Sequence, residues 1–111
     1  MRQRVSVLIP CYRERELLAR AIRSVQQQTL SDWQLVLVAN NADRETESIA
    51  SQLAAADSRI HLVDEPTPGI AHALNTGLRH CRGDYVARLD ADDAMPADRL
   101  AKQAIFLDEN T

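Results

Sequence analysis

The sequence predicts an α/β fold with a mostly parallel sheet of about four strands and flanking helices. Short apolar runs alternate with longer stretches of helical period along the 111 residues, as expected when helices connect parallel strands. The apolar run within residues 34–39 is unbroken, which is typical of a strand covered on both faces. Because the chain is short and 45% hydrophobic, we expect a single domain over residues 1–111.

The first half of the chain predicts two strands, each followed by a helix. The first strand covers residues 5–9 and ends at Pro10, because proline cannot donate a hydrogen bond within a central strand. The helix after it has an apolar face made of Leu17, Leu18, Ala21, Ile22 and Val25. The second strand covers residues 34–39. Asp43 then favours the start of a second helix, since its side chain suits the N-cap position.

The second half predicts strands over residues 60–63 and 85–89 with a helix between them. Thr67 is expected to cap that helix with Pro68 at its first position. Its expected inward face contains Ile70, Ala73, Leu74, Gly77, Leu78 and Cys81. Pro96 is expected to open a last helix with Leu100, Ala104 and Leu107 directed inward. The chain stops just after this helix, which predicts a fold truncated at its C-terminus.

Charge and composition exclude several classes of function. A formal net charge of −3 argues against a nucleic-acid partner, because phosphate binding needs a clustered basic excess. Cys11 and Cys81 lack metal-ligand spacing and are expected to be reduced and partly buried, which fits a cytoplasmic protein. Cys11 is also a candidate for an exposed thiol, since it follows a predicted strand. Since no stretch reaches the ~20 apolar residues of a membrane span, we expect membrane association only peripherally, at the inner face, or through missing sequence.

Polar side chains gather at residues 10–13, 40–43 and 90–93, where three predicted strands end. Ligands of open parallel sheets bind beyond the carboxyl ends of the strands. The three carboxylates within residues 90–93 repel one another unless a cation or solvent compensates them. Magnesium or manganese typically takes one or two carboxylates plus substrate phosphates. A solvated turn that caps the next helix explains the same residues equally well.

Two further residues at these strand ends have alternative interpretations. Tyr12 is either a half-buried ring or a platform on which a nucleobase stacks. Asn40 belongs to a polar segment that favours a turn, because asparagine tolerates turn backbone. Neither a phosphate-binding Walker loop nor the GxGxxG dinucleotide motif can be built from the three glycines present, which are Gly69, Gly77 and Gly83.

These segments, in this order, resemble the N-terminal half of family 2 glycosyltransferases, which have the Rossmann-like GT-A nucleotide-binding fold. VSVLIPCYR at residues 5–13 is similar to the family's opening strand. GIAHALNTG at residues 69–77 resembles its donor helix, and GDYVARLDADD at residues 83–93 is close to its GEYIAFLDADD segment. The resemblance covers nearly the whole chain, and the ordered set of motifs is far more specific than any one of them.

The resemblance implies the donor site of an inverting, metal-dependent transferase. Tyr12 would stack near the nucleobase and Pro10 would shape its pocket. Asp90 and Asp92 would form the family's DXD motif, with Asp92 contacting Mn²⁺ or Mg²⁺ and Asp90 nearer the ribose or the waters of the metal. The donor would be a nucleotide-diphosphate sugar, by default UDP-linked. The acceptor would be a hydroxyl of an unknown saccharide, lipid or protein.

The sequence departs from the family pattern at two positions. Asn40 stands where the family carries an aspartate that hydrogen-bonds the base, and Arg13 replaces the usual asparagine. Asn40 still offers an acceptor to a uracil N–H and adds a donor. A GDP- or dTDP-linked donor sugar is therefore an alternative to a UDP-linked one. The family's general base lies in the C-terminal half, so we expect it beyond Thr111. The chain alone is then expected to bind donor but to transfer sugar poorly or not at all.

Two functions of other classes compete with this interpretation. A non-catalytic nucleotide- or metal-binding regulatory module would bind the donor without a general base anywhere in the parent gene. A receiver- or flavodoxin-like signalling domain also gathers aspartates at strand ends. That domain would need an acidic pair after its first strand, where this chain has Cys11 and Tyr12.

Overall fold

The computed structural model describes residues 3–110, which form one parallel sheet with helices on both faces. The elements in chain order are β1 (Val5–Cys11), α1 (Glu16–Gln26), β2 (Trp33–Ala39), α2 (Arg44–Ala56), β3 (Ile60–Asp64), α3 (Ile70–His80), β4 (Tyr85–Arg88) and α4 (Arg99–Glu109). The strand order across the sheet is β3-β2-β1-β4, and every neighbouring pair is parallel. The α/β class and the four strands predicted from the sequence are confirmed.

Side chains of β1 and β2 alternate between two apolar cores, because successive residues of a strand point to opposite faces. Their odd-numbered residues belong to the larger core, together with residues of α1, α2 and α4. Leu8, Val36 and Val38 instead form a smaller core with Ala73 of α3. Three helices therefore cover one face of the sheet and α3 covers the other, so both central strands are buried on both sides, as their apolar runs predict.

The strand order reverses between β1 and β4. The chain moves outward from β1 through β2 to β3, and α3 then carries it across the opposite face to the other side of β1. Open α/β sheets bind ligands in the crevice that such a reversal creates at the carboxyl ends of the strands. Tyr12 follows β1 and Asp90 lies two residues beyond the end of β4, so both lie at this edge of the sheet.

The predicted end of the first strand at residue 9 is wrong, because β1 continues through Pro10 to Cys11. Leu89 donates its N–H to the Leu8 carbonyl, so the main chain of Leu8 faces β4. Pro10 is two residues further on and faces the same side. Since the pairing of β4 ends at Arg88, opposite Leu8, proline loses no ladder hydrogen bond there.

Two helices begin later than the sequence predicts. α3 begins at Ile70 with Gly69 as its N-cap, not with Thr67 as the cap and Pro68 at the first position. The α4 helix begins at Arg99, three residues after the predicted start at Pro96. In both cases hydrogen bonds from distant side chains hold the preceding residues in a loop, as described below. The predicted N-cap at Asp43 is confirmed, because its carboxylate accepts the Thr46 N–H at 3.0 Å.

The predicted inward faces are only partly correct. The fully buried residues of α3 are Ala73, Thr76 and Gly77. Four residues expected inside are exposed, because the helices cover the sheet with their central stripe only: Leu17, Ile70, Leu78 and Leu107. A Cβ on Gly77 would lie 2.2 Å from Cδ1 of Leu8, so the glycine permits the close contact between α3 and β1. No helix within residues 3–110 has the length and apolarity needed to cross a bilayer.

Candidate functional site

A cleft of about 380 Å³ opens at the carboxyl ends of β1 and β2, and we call it the strand-end cleft. Its lining residues are Pro10, Cys11, Tyr12, Glu14, Asn40, Asn41, Pro68, Gly69 and Ile70. Three residues that the sequence proposes for nucleotide binding, Pro10, Tyr12 and Asn40, are thus brought together. A larger groove of about 870 Å³ runs between α1 and α2, but its lining residues come from the helices and not from the strand ends.

Tyr12 presents its ring at the mouth of this cleft while its main chain is held in place. Its N–H donates to the Glu14 carboxylate at 2.5 Å, and its carbonyl accepts the Asp43 N–H at 2.9 Å. The ring is 46% exposed, and the guanidinium carbon of Arg13 lies 4.9 Å from the ring centre. One face of the ring therefore carries a cation–π contact, and a fixed backbone aims the exposed ring at the cleft.

The side chain of Asn40 is buried and makes three hydrogen bonds to one loop, residues 65–69. Its Nδ2 donates to the carbonyl of Glu65 at 2.9 Å and to that of Thr67 at 2.8 Å. Its Oδ1 accepts the Gly69 N–H at 3.1 Å. Because two of the partners are carbonyl acceptors and the third is an N–H donor, only one orientation of the Asn40 amide satisfies all three bonds. The end of β2 is thereby joined to the residues that precede α3.

Glu65 adds a second attachment between this loop and α3. Its carboxylate accepts hydrogen bonds from the Thr76 hydroxyl and from the Thr67 N–H. These two donors hold the pKa of Glu65 below its usual range. Sequence reasoning missed Glu65, and its position directly after the third strand was the only available signal.

Cys11 lies at the end of β1 and is 1% exposed, so the expectation of an exposed thiol is wrong. Its side chain points into the larger core because it continues the odd-numbered face of β1. Burial raises the pKa of the Cys11 thiol to about 12, with Glu14, Glu47 and Asp43 adding to the effect. The thiol is therefore protonated at neutral pH and is a poor nucleophile.

Residues 90–93, which we call the Asp turn, follow β4 at the same edge of the sheet. The Asp93 N–H donates to the Asp90 carbonyl at 3.0 Å, which closes the turn. Both Asp90 and Asp92 are exposed, and Oδ1 of Asp90 lies 3.4 Å from Nη2 of Arg88. Asp90 lines a separate shallow cavity of about 380 Å³ with Arg88, Asp93 and Arg99. No residue of the Asp turn lines the strand-end cleft, although both lie at the same edge of the sheet.

Helix α1 supports the Asp turn and the residues that follow it. Arg20 donates to the Asp92 carbonyl at 2.9 Å. The buried hydroxyl of Ser24 accepts the Met95 N–H at 3.1 Å. These contacts join positions more than 70 residues apart in the sequence, so the turn depends on α1 for its place.

Gln28, just beyond the end of α1, continues this support. Its Nε2 donates to the Pro96 carbonyl at 2.7 Å, and its Oε1 accepts the Leu100 N–H at 3.1 Å. Gln28 is 7% exposed, so both contacts lie largely out of water. They hold residues 96–98 in a loop, which explains why α4 starts after Pro96. Sequence reasoning missed Ser24, which lies on the inward side of α1, and Gln28, which is buried just beyond the end of that helix.

The donor atoms at the Asp turn fit a hard divalent cation that is shared with a phosphate ligand. Within residues 3–110, no group of three or more His, Cys, Asp or Glu side chains is arranged to hold a metal. Asp90 and Asp92 offer two exposed carboxylates on one short turn. Magnesium and manganese commonly bind through one or two carboxylates and take their other ligands from phosphates and water. An all-protein cage of the zinc type does not match this set.

The sequence matches the family described as "Glycosyl transferase family 2" over residues 6–111. One relative is the putative teichuronic acid biosynthesis glycosyltransferase TuaG of Bacillus subtilis (strain 168), which is 36% identical over 108 residues. The match covers 96% of this chain and 43% of the relative. The chain thus spans less than half the length of that protein.

Solved structures share the same arrangement of strands and helices. The mannosyltransferase PcManGT from Pyrobaculum calidifontis, in complex with GDP-Man and Mn²⁺, superposes with a TM-score of 0.81 at 32% identity. That match covers 95% of this chain and 32% of the other. Residues 1–349 of TarS from S. aureus, in complex with UDP, give a TM-score of 0.86 at 22% identity, covering 96% of this chain and 32% of TarS 1–349. The expected Rossmann-like GT-A fold is confirmed.

Proposed function

The chain belongs to glycosyl transferase family 2, and we propose that it forms the donor-binding part of an inverting enzyme that transfers a sugar from a nucleotide diphosphate to an acceptor hydroxyl. One observation carries this proposal. Pro10, Tyr12 and Asn40 line a single cleft at the carboxyl ends of β1 and β2, and the exposed carboxylates of the Asp turn follow β4 at the same edge of the sheet. A cleft for a base beside oxygen ligands for a cation is what a nucleotide diphosphate requires.

The strand-end cleft would receive the nucleobase. Its volume of about 380 Å³ lies within the range of small-molecule pockets. The exposed ring of Tyr12 offers a flat surface on which a base can stack. Pro10 lies within β1 and Asn40 directly follows β2, so both sit on rigid elements, and the pocket between them needs little rearrangement before it binds.

The Asp turn would receive the diphosphate and its cation. Asp92 would contact Mn²⁺ or Mg²⁺, and Asp90 would lie nearer the ribose or the waters of the metal. When bound, the cation stabilises the negative charge that develops on the leaving nucleoside diphosphate. Both carboxylates are exposed, so they can bind an ion without first being taken out of a buried network. The contact of Asp90 with Arg88 is an exposed ion pair, which costs little to break.

Transfer itself would need residues that this part of the protein does not supply. The general base is expected beyond Thr111, and Thr111 itself lies outside the described residues. The chain covers 43% of the Bacillus relative, which leaves room for the base and the acceptor site in the remainder of such a protein. The complex of the archaeal mannosyltransferase with GDP-Man and Mn²⁺ supports a divalent cation and a nucleotide-sugar donor for this chain as well.

Calorimetric titration of the chain with UDP, GDP and dTDP tests the proposal. In the presence of Mn²⁺ we expect nucleotide binding that is tightest for one of the three bases, and we expect excess EDTA to abolish the binding. A chain that melts cooperatively but binds no nucleotide would contradict the donor-site assignment. Binding that survives EDTA would support the cleft and overturn the role of the cation.

A further inference from the structure

We propose that Asn40 is a positioning residue that builds one wall of the strand-end cleft by holding the loop of residues 65–69, and that it does not read the nucleobase. The effect of Asn40 on nucleotide affinity rests on the proposed function. Its role in holding the loop is argued from the hydrogen bonds of the free protein alone. It replaces the expectation that Oδ1 of Asn40 is available to a uracil N–H.

The hydrogen-bonding capacity of the Asn40 side chain is largely used within the protein. A carboxamide has two N–H donors, and here both donate to main-chain carbonyls, those of Glu65 and Thr67. The oxygen already accepts the Gly69 N–H. The residue is 9% exposed, so these bonds form where water competes poorly. If a nucleobase replaced one of these partners of Asn40, the displaced carbonyl or N–H of the loop would be left without a hydrogen bond.

The loop that Asn40 holds is itself part of the cleft. Pro68 and Gly69 line the cleft together with Ile70, the first residue of α3. Gly69 has a φ of 126°, a conformation that side-chain-bearing residues rarely adopt. Because glycine is free to adopt many backbone conformations, contacts with neighbouring groups are needed to hold it in this one. The bond from the Gly69 N–H to Asn40 is such a contact, so the position of this wall depends on the side chain at the end of β2.

Asn40→Asp separates a positioning role from base reading, because the two side chains have the same shape. Aspartate keeps an acceptor for the Gly69 N–H but loses both donors, and its charged oxygen would face the carbonyls of Glu65 and Thr67. Asn75→Asp is the matched control, since it makes the same charge change at an exposed position of α3.

The first experiment measures amide hydrogen exchange and thermal stability of the full chain. In Asn40→Asp, exchange of the Gly69 amide should accelerate about tenfold at neutral pH, because the loop loses two of its attachments. Lowering the pH from about 7 to about 4 should narrow the gap in Tm from the parent, since a protonated aspartate regains a donor. Asn75→Asp should change neither quantity. Parent-like exchange and a pH-independent gap in Asn40→Asp would overturn the proposal.

The second experiment compares nucleotide binding in the same variant. Loss of one wall of the cleft weakens the binding of every nucleotide, whatever its base. The affinities for UDP and GDP should therefore each fall about tenfold, and their ratio should not change. A tenfold change in that ratio, or tighter UDP binding, would mean that the side chain reads the base. If the parent chain binds no nucleotide, the proposed function fails, and the exchange data still decide whether Asn40 holds the loop.

A measurement on the unmodified chain guards against a variant that fails to fold. In NMR spectra, the side-chain NH₂ protons of Asn40 should be protected from exchange without any nucleotide. Their shifts should be the same with UDP and with GDP. Protons that exchange freely in the free chain and become protected only when a nucleotide binds would contradict the proposal.

Discussion

The strand-end cleft and the Asp turn lie at the same edge of the sheet but use their polar side chains differently. In the cleft, the Asn40 carboxamide is buried and bonded to the protein's own backbone. In the Asp turn, the carboxylates of Asp90 and Asp92 are exposed, and helix α1 holds the turn through backbone atoms instead. The Asn40 side chain therefore stabilises the fold, whereas the Asp90 and Asp92 carboxylates remain accessible to solvent.

This difference predicts which substitutions weaken binding alone and which also destabilise the fold. The side chain of Asp92 is exposed, and the contact that holds this residue is made by its main-chain carbonyl, so replacing the side chain removes a proposed ligand without removing that contact. A change at a buried support, such as Asn40 in the cleft or Gln28 behind the Asp turn, alters the fold first and binding as a consequence. Substitutions at the two kinds of position should therefore differ in whether Tm falls together with affinity.

The largest effect on binding is expected from Asp92→Ala. Loss of a direct metal ligand should weaken Mn²⁺-dependent nucleotide binding by about 100-fold or more. The Tm should stay within about 2 °C of the parent, because the side chain is exposed. Calorimetry and thermal melting measure the two quantities.

The control for this variant is Asp32→Ala, which removes the same charge just before β2, at the opposite edge of the sheet. It should leave both affinity and Tm unchanged. If Asp92→Ala binds nucleotide as tightly as the parent, the Asp turn is not the cation site.

An intermediate effect on binding, with a large effect on stability, is expected from Gln28→Met. The Leu100 N–H and the Pro96 carbonyl would lose their partner in a buried place, which costs about 2 kcal/mol. The Tm should fall by about 10 °C, and Mn²⁺-dependent affinity should weaken because the Asp turn loses support. Gln27→Met at the exposed neighbouring position should do neither. An unchanged Tm in Gln28→Met would refute the supporting role of Gln28.

The smallest expected effect is on the pH dependence of Tm, through Asp43 at the start of α2. Hydrogen bonds from Thr46, followed by the contact with Arg15, hold the pKa of Asp43 below its usual range. A carboxyl whose pKa is lowered in the folded state contributes stability that is complete above about pH 4 and is lost as the pH falls through the folded pKa. Asp43→Asn keeps a good N-cap but cannot titrate. Its Tm should therefore fall less than that of the parent between about pH 5 and pH 2. Identical curves would show that Asp43 contributes nothing to acid denaturation.

The elements that the sequence predicts well are those set by local pattern. The apolar runs of β1 and β2 and the helical period of α1 are visible in a few neighbouring residues, and all three formed as expected. The starts of α3 and α4 were wrong because distant side chains decide them. The bonds from Asn40 to the loop cross up to 29 residues, and the bond from Gln28 to Leu100 crosses 72.

The candidate site was predictable in its position but not in its supports. The predicted strand ends and the resemblance placed Pro10, Tyr12 and Asn40 at one edge, and the structure brings them into one cleft. The roles of Glu65 and Gln28 could not be predicted, because their hydrogen bonds depend on which backbone groups the fold brings next to them. A polar residue on an inward face is a signal of such a support even when its partner is unknown.

We propose that the strand-end cleft and the Asp turn together form one site for a metal–nucleotide complex. Paramagnetic broadening of the amide signals of the chain by Mn²⁺ tests it directly, because broadening reports distance from the ion. With UDP present, or whichever nucleotide binds in the titration, signals of residues 90–93 should broaden most, those of Tyr12 and Gly69 less, and those of β3 least. Broadening centred on the acidic start of α2, at Glu45 and Glu47, or none at the Asp turn, would contradict the account.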